Sequence, residues 1–287
     1  MCLLYVYVND DPNESNYRLI LANNRDEYWD RPTKPLAHIC DHPNCFSSQD
    51  QQPGSEGGTW LAMSTDGKIG ILTNILGHLS TDKQSRGNLV NDYLMSQQSG
   101  KDFIDQVVAP CKDRYNGFHL MLLDLSEEKS RFKHFSNKCD EEGLLDRGFF
   151  AVGNSILPSK PWRKCRIGKE NFESIVNKRM KEPCNNEELV SDLHNLMSDP
   201  IRHGVDELLQ DQGQSAGKDE ETMSDLSAIF VNSRHTRYGT RTQSFIMVDH
   251  SGRCEFRQMC LETPVDPDNF QWRTDVQHFN IDKLNKL

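Results

Sequence analysis

The 287 residues include 43 acidic and 33 basic side chains, a formal net charge of −10, with 36% apolar and 26% charged residues. This excludes a general nucleic-acid binder, which needs surplus Lys and Arg to neutralise phosphates; no apolar run approaches the ~20 residues of a membrane-spanning helix. A chain this long buries a core without staples, and its nine scattered cysteines, with no secretory signal before them, read as reduced cytosolic thiols.

In chain order, residues 2–8 read as a buried strand, short, β-rich and stopped by Asn9-Asp10-Asp11. Tyr17 to Ala22 is its partner across a turn at Asp11-Pro12. Residues 60–64 and 69–73 form a hairpin around Asp66-Gly67. A helix begins near Arg86 with Ser85 as cap, and another covers residues 102–108. Strands return at 118–123, 131–135 and 149–152. Two helices follow, one from about Lys169 with Phe172, Ile175 and Val176 on its apolar face. The other starts after Asn185, which can cap it in a box with Glu188. Eight acidic and two basic residues fall in 199–225, which reads as a flexible acidic loop. Strands at 228–231, 244–248 and 254–258 close the chain, the last two joined at Ser251-Gly252. Helix pairs between runs of antiparallel strands predict an α+β fold of two sheets sandwiched by helices, in a single domain over 1–287.

Several segments could carry chemistry. Removal of Met1 would give Cys2 a free α-amine, whose pKa near ~8 suits it as base for its own thiol. Asn24, Arg25, Asp26 and Glu27 end an apolar strand, close to Trp29; adjacent Arg and Asp can hold each other, a ligand carboxylate or a thiol. Glu56-Gly57-Gly58-Thr59-Trp60 permits close backbone approach, although a plain turn remains open. Asn74 and Asn154 each follow a strand, where an amide could serve an oxyanion. Arg234, Arg237 and Arg241 make a basic stretch in an acidic chain. His38, Cys40, His42 and Cys45 match no common zinc spacing and read as a polar loop, so no metal is expected.

Together the motifs resemble the transport and Golgi organisation protein 2 family, also called the NRDE family. The naming motif stands at Asn24-Arg25-Asp26-Glu27. Further matches are Glu56-Gly57-Gly58-Thr59-Trp60-Leu61, Leu72-Thr73-Asn74, Arg86-Gly87-Asn88-Leu89-Val90, Tyr115-Asn116-Gly117-Phe118, Pro161-Trp162-Arg163-Lys164 and Tyr238-Gly239-Thr240-Arg241-Thr242. They run in order from Cys2 to about Met259.

The resemblance implies a four-layer αββα sandwich like that of N-terminal-nucleophile hydrolases, with Cys2, Arg25, Asp26, Asn74, Asn154 and Arg241 as catalytic candidates. It also implies haem trafficking, with links to Golgi organisation, secretion and lipid metabolism. The protein is then expected in the cytoplasm, associated with mitochondria or the Golgi. Haem would be a transient ligand rather than a covalent cofactor, held between the sheets by Asn24, Arg25, Glu27, Trp29, Trp60 and Arg241, with His235 as axial ligand. Two alternatives share the fold: an N-terminal-cysteine amidohydrolase or thioesterase, and a protein that binds acyl-CoA or another amphipathic anion without turnover.

Overall fold

Strand β1 (Cys2–Val8) is buried along its whole length, so both of its faces need a partner. Its even residues, Cys2, Leu4, Val6 and Val8, join one apolar cluster; Leu3, Tyr5 and Tyr7 join another. This period of two is the organising fact of the fold. The first cluster faces a second sheet, and the second faces helices.

The computed structural model describes residues 2–39, 42–126, 130, 132–141, 144–145, 147–181 and 185–281. After β1 come β2 (Tyr17–Tyr28), β3 (Ala37–Ile39), β4 (His42–Ser47), β5 (Leu61–Ser64) and β6 (Lys68–Asn74). Helix α1 (Asn88–Met95) follows, then α2 (Gly100–Phe103), which runs on through a π turn and a 3-10 turn to Arg114. Next are β7 (Phe118–Asp124), β8 (Phe132–Ser136), β9 (Leu144–Leu145) and β10 (Gly148–Val152), then α3 (Arg163–Lys181) and α4 (Asn186–Met197). The chain continues with α5 (Glu207–Ser215), α6 (Glu220–Leu226), β11 (Asn232–Ser233), β12 (Tyr238–Asp249), β13 (Arg253–Leu261) and β14 (Trp272–Asn280). One sheet is ordered β10-β1-β2-β12-β13-β14, with β11 beside β12; the other runs β3 to β9 in chain order. All strand pairs are antiparallel.

Three cores separate four layers. Leu61, Met63, Ile69 and Ile71 meet the even side of β1 between the sheets. Phe172 and Val176 of α3 and Leu189, Leu193 and Met197 of α4 cover the odd side. Leu89, Val90, Tyr93 and Leu94 of α1, with Phe103, cover the second sheet through Leu72, Leu120 and Leu122. This is the expected αββα sandwich. Each fully buried side chain of this kind contributes roughly 1.5–3 kcal/mol of transfer free energy.

Several expectations are corrected. Residues 199–225 are not a loop: they hold α5 and α6. Asp206 accepts from the Leu209 N–H and Asp219 from the Thr222 N–H, so acids expected on a solvated loop are helix caps. Leu209 and Leu226 pack against Leu76, Trp162 and Val231. Residues 228–231 form no strand, only a single bridge from Ala228 to Arg202. Helix α1 begins at Asn88 after Gly87, and Ser85 does not cap it. Asn185, by contrast, caps α4 as expected, accepting from the Glu188 N–H at 3.0 Å. Strands β3, β4 and β14 carry too many polar residues for the alternation to stand out. His38, His42 and Cys45 sit on β3 and β4, while Cys40 lies outside the described residues. No described helix is long and apolar enough to cross a membrane.

Helix α3 approaches β1 at Gly168, where a Cβ would stand 1.7 Å from the Tyr5 hydroxyl oxygen. Gly168→Ala is expected to destabilise the fold by about 1–3 kcal/mol, although Ala favours helix. A urea titration reads this directly; a midpoint equal to or above that of the parent would contradict the packing described.

Candidate active site

The site begins with strand register. Cys2 pairs with Arg25 and Leu3 with Asn24. The alternation that sends Leu19 and Leu21 of β2 between the sheets, and Ile20 and Ala22 towards the helices, continues through the polar end of the strand. Arg25 and Glu27 therefore share the inter-sheet side with Cys2, while Asn24 and Asp26 lie on the helix side. Asn24 donates through its amide to the carbonyls of Met197 at 2.8 Å and Ile229 at 3.0 Å, anchoring the end of α4. Asp26 accepts from the Thr240 hydroxyl at 2.7 Å, while Thr240 in turn accepts from the Val231 N–H.

At this end of the sandwich a cavity of about 300 Å³ opens, bordered by Cys2, Arg25, Asp26, Glu27, Trp60 and Asn74. Residues of both sheets line it, Cys2, Arg25 and Glu27 from one and Leu72 and Asn74 from the other, and below it the apolar residues of the two sheets pack together. The Arg25 guanidinium lies 4.2 Å from the centre of the Trp60 ring, a cation–π contact that joins the two sheets. Gly58 and Gly87 form part of the wall. A Cβ on Gly87 would fall 2.8 Å from the Gly58 Cα, so only glycine lets these backbones touch.

The electrostatics are uneven. Arg31 holds Asp50 at 2.6 Å and Glu27 at 3.5 Å. Burial would raise the Glu27 carboxyl, but the chain terminus, Arg25 and Arg31 outweigh it and hold it below the usual range. Three cations lack a salt-bridged carboxylate among the described residues. Arg25, 5% exposed, donates only to the Thr33 hydroxyl; Arg86 donates to the Gly117 carbonyl and Lys83 to that of Asp113. Burial pushes Arg86 down to about 10, still protonated at neutral pH. Arg25 and Glu27 act on each other through space, while Arg25, Arg86 and Lys83 donate their hydrogen bonds to hydroxyl and main-chain oxygens alone among the described residues. Burial also pushes the Cys2 thiol up to about 11. At neutral pH it is a thiol, not a thiolate.

The structure brings together Cys2, Arg25, Asp26, Glu27, Trp60 and Asn74. Asn74 makes no side-chain hydrogen bond among the described residues and is available as a donor. Asn154 stands behind it, donating its amide to the Asn74 carbonyl at 2.7 Å. Asn24 faces away. Trp29 is buried against Leu261 and Val265, outside the cavity. Arg241 lies behind Arg25 and borders a different cavity. His235 lies among Asp219, Glu221 and Asp225, at 3.5–3.8 Å, and contacts Thr222 and Ser233. It does not border the Cys2 cavity. Arg31, Asp50, Lys83, Arg86 and Asn116 were not anticipated as site residues. Arg86 and Asn116 stand within motif segments and so carried a signal; Arg31 lies four residues beyond Glu27, and Asp50 and Lys83 carried none.

Two facing antiparallel sheets with helices on both outer faces, and Cys2 at the mouth of an end cavity, define a four-layer αββα sandwich. The chain belongs to the Transport and Golgi organisation 2 family, whose model matches residues 1–262. It is 32% identical over 285 residues to the Transport and Golgi organization 2 homolog of Mus musculus, covering 98% of this chain and 99% of that one. The Homo sapiens homolog shows the same identity and coverage. The Drosophila melanogaster protein is 28% identical over 287 residues, covering 96% of this chain and 98% of its own. Among solved structures, a conjugated bile acid hydrolase from Clostridium perfringens is similar with a TM-score of 0.47 at 9% identity, covering 99% of this chain and 94% of that one. An N-acylethanolamine-hydrolyzing acid amidase ortholog from Caenorhabditis elegans is similar with a TM-score of 0.42 at 8% identity, covering 67% and 85%.

With Met1 in place, alkylation of Cys2 by iodoacetamide is expected to be slow at neutral pH and to rise until about pH 11, as the raised pKa requires. Peptide mass spectrometry across a pH series checks this. A rate already at its plateau by pH 8 would contradict the burial argument.

Proposed function

We propose that this chain is an N-terminal-cysteine acyl hydrolase acting on a small anionic amide or thioester. The observation that carries this reading is the placement of Cys2 in a cavity, paired across the strands with the buried Arg25, which has no salt-bridge partner among the described residues. The thiol alone is a poor nucleophile with a pKa pushed up to about 11. Removal of Met1 would put an α-amine with a pKa near ~8 beside the same sulfur, supplying the base that the pocket otherwise lacks.

The lining residues set the chemistry. The amine takes the Sγ proton as Sγ bonds to the acyl carbon. The carbonyl oxygen becomes an oxyanion that Asn74 can meet with its uncommitted amide. Collapse breaks the C–N or C–S bond, and the ammonium returns its proton to the leaving amine or thiolate. Water, deprotonated by the same amine, attacks the acyl-enzyme; the acid leaves and Cys2 is restored. Arg25, Arg86 and Lys83 would hold a carboxylate or phosphate of the substrate. The relatives' names carry transport and Golgi organisation, and we take that as the cellular setting, with the protein on the cytoplasmic side.

Haem trafficking is a second reading, favoured by the same three cations, which would meet the propionates. None of the described residues bordering the cavity is His, so Cys2 would have to supply the axial ligand in place of His235. A Soret shift on haem titration that disappears in Cys2→Ala would favour it, and a shift unaffected by that substitution would not.

For Met1-free protein, steady-state hydrolysis of a panel of short amides and acyl-CoA thioesters is expected to disappear in Cys2→Ala. In Asn74→Ala kcat should fall by about 10²–10³-fold. Turnover that survives Cys2→Ala, or saturable binding of every panel member with no turnover, would overturn the hydrolase.

A further inference from the structure

A second cavity, about 700 Å³, lies on the other side of the 31–33 segment, bordered by Lys34, Arg241, Cys260, Glu262, Pro264 and Arg273. Arg31 borders both cavities, and Thr33, which accepts from Arg25, borders the second. The two spaces are thus separated by one strip of chain.

The sheet is modified to place Arg241 here. Along β12, Thr240 pairs with Asp26 and Thr242 with Arg25, so Arg241 is an extra residue in the ladder. A bulge of this kind re-aims a side chain. Arg241 is 5% exposed and donates through Nη1 to the carbonyls of Tyr28 and Arg31. It has no carboxylate partner among the described residues, and its buried Nε has no acceptor. Burial, with Arg25 alongside, pushes it down to about 10.

The other charges do not neutralise it. Asp30 is held by Arg237 at 2.9 Å, Arg31 by Asp50 at 2.6 Å and Arg273 by Asp275 at 3.2 Å. That leaves Lys34 and Arg241 against the exposed Glu262. A buried guanidinium held only by main-chain carbonyls, at the edge of an open cavity, is costly unless an anion completes it.

We propose that this cavity is a second binding site, distinct from the Cys2 pocket, for the oxyanion headgroup of a small molecule, a phosphate monoester or a carboxylate, with Arg241 as its main ligand and Lys34 at its rim. It does not depend on Cys2 being a nucleophile.

Cys260 supplies a reporter. Its half-buried thiol borders the cavity, 3.6 Å from the Thr242 hydroxyl. Burial raises its pKa, so alkylation is followed at alkaline pH. The folded full-length protein is treated with iodoacetamide in the presence of inorganic phosphate, glycerol phosphate or acetate, and Cys260 and Cys2 are read separately by peptide mass spectrometry. The expected result is a saturable, several-fold slowing at Cys260 with little change at Cys2; the more protective anion identifies the headgroup. Arg241→Gln should lose this protection, and Lys34→Glu, on the exposed rim, should weaken it even if the first variant fails to fold. No protection of Cys260 by any of the three anions, protection of Cys2 instead, or protection unchanged in the folded variants would overturn the proposal.

Discussion

The antiparallel pairing of β1 with β2, with Cys2 opposite Arg25, is the constraint on which the site depends. A slip of one residue would turn every side chain of β2 to the opposite face. The side chains of Arg25 and Glu27 would then meet the helices, and those of Asn24 and Asp26 would turn to the inter-sheet side. What prevents the slip is burial on both faces of β1: Leu4 and Val6 are fixed between the sheets, Leu3 and Tyr5 against α3 and α4. The packing of seven apolar residues thereby sets the register of a polar motif.

That logic divides the four-residue motif by function. Its first and third residues are structural: Asn24 ties β2 to α4 and Asp26 ties it to β12 through Thr240. Its second and fourth face the cavity. The structural pair fixes the strand, and the strand presents Arg25 and Glu27. Arg25 on β2 and Arg241 on β12 sit badly for stability, since both are buried without a salt-bridged carboxylate among the described residues. Uncompensated buried charge of this kind is tolerated where it meets a ligand, and stability is then lost in exchange for function.

Much of this was legible in the sequence. The continuous apolar run at 2–8 and the turn at Asp11-Pro12 before Tyr17 to Ala22 led to the central strands, and the order of strands and helices led to the sandwich. The period of two, carried from Leu21 into Arg25, sorts the motif into its two faces. The acidic segment 199–225 misled because caps and solvated loops share a composition; Asp206 and Asp219 are distinguished only by the residues after them, an apolar face that docks on Trp162 and Leu76. Arg241 misled for a different reason: a bulge is one extra residue and leaves no mark in periodicity. Asp50 and Lys83 reach the cavity through tertiary contacts alone, which no local pattern reports.

The central claim is that Cys2 gains its base from its own chain end. The most direct measurement is intact mass after exposure to an excess of acyl thioester, made side by side on protein with Met1 retained and protein with Met1 removed. The account predicts a single acyl adduct, mapped to Cys2, on the Met1-free form, and no comparable adduct on the other. Equal acylation of both forms, or an adduct that persists in Cys2→Ala, would contradict it.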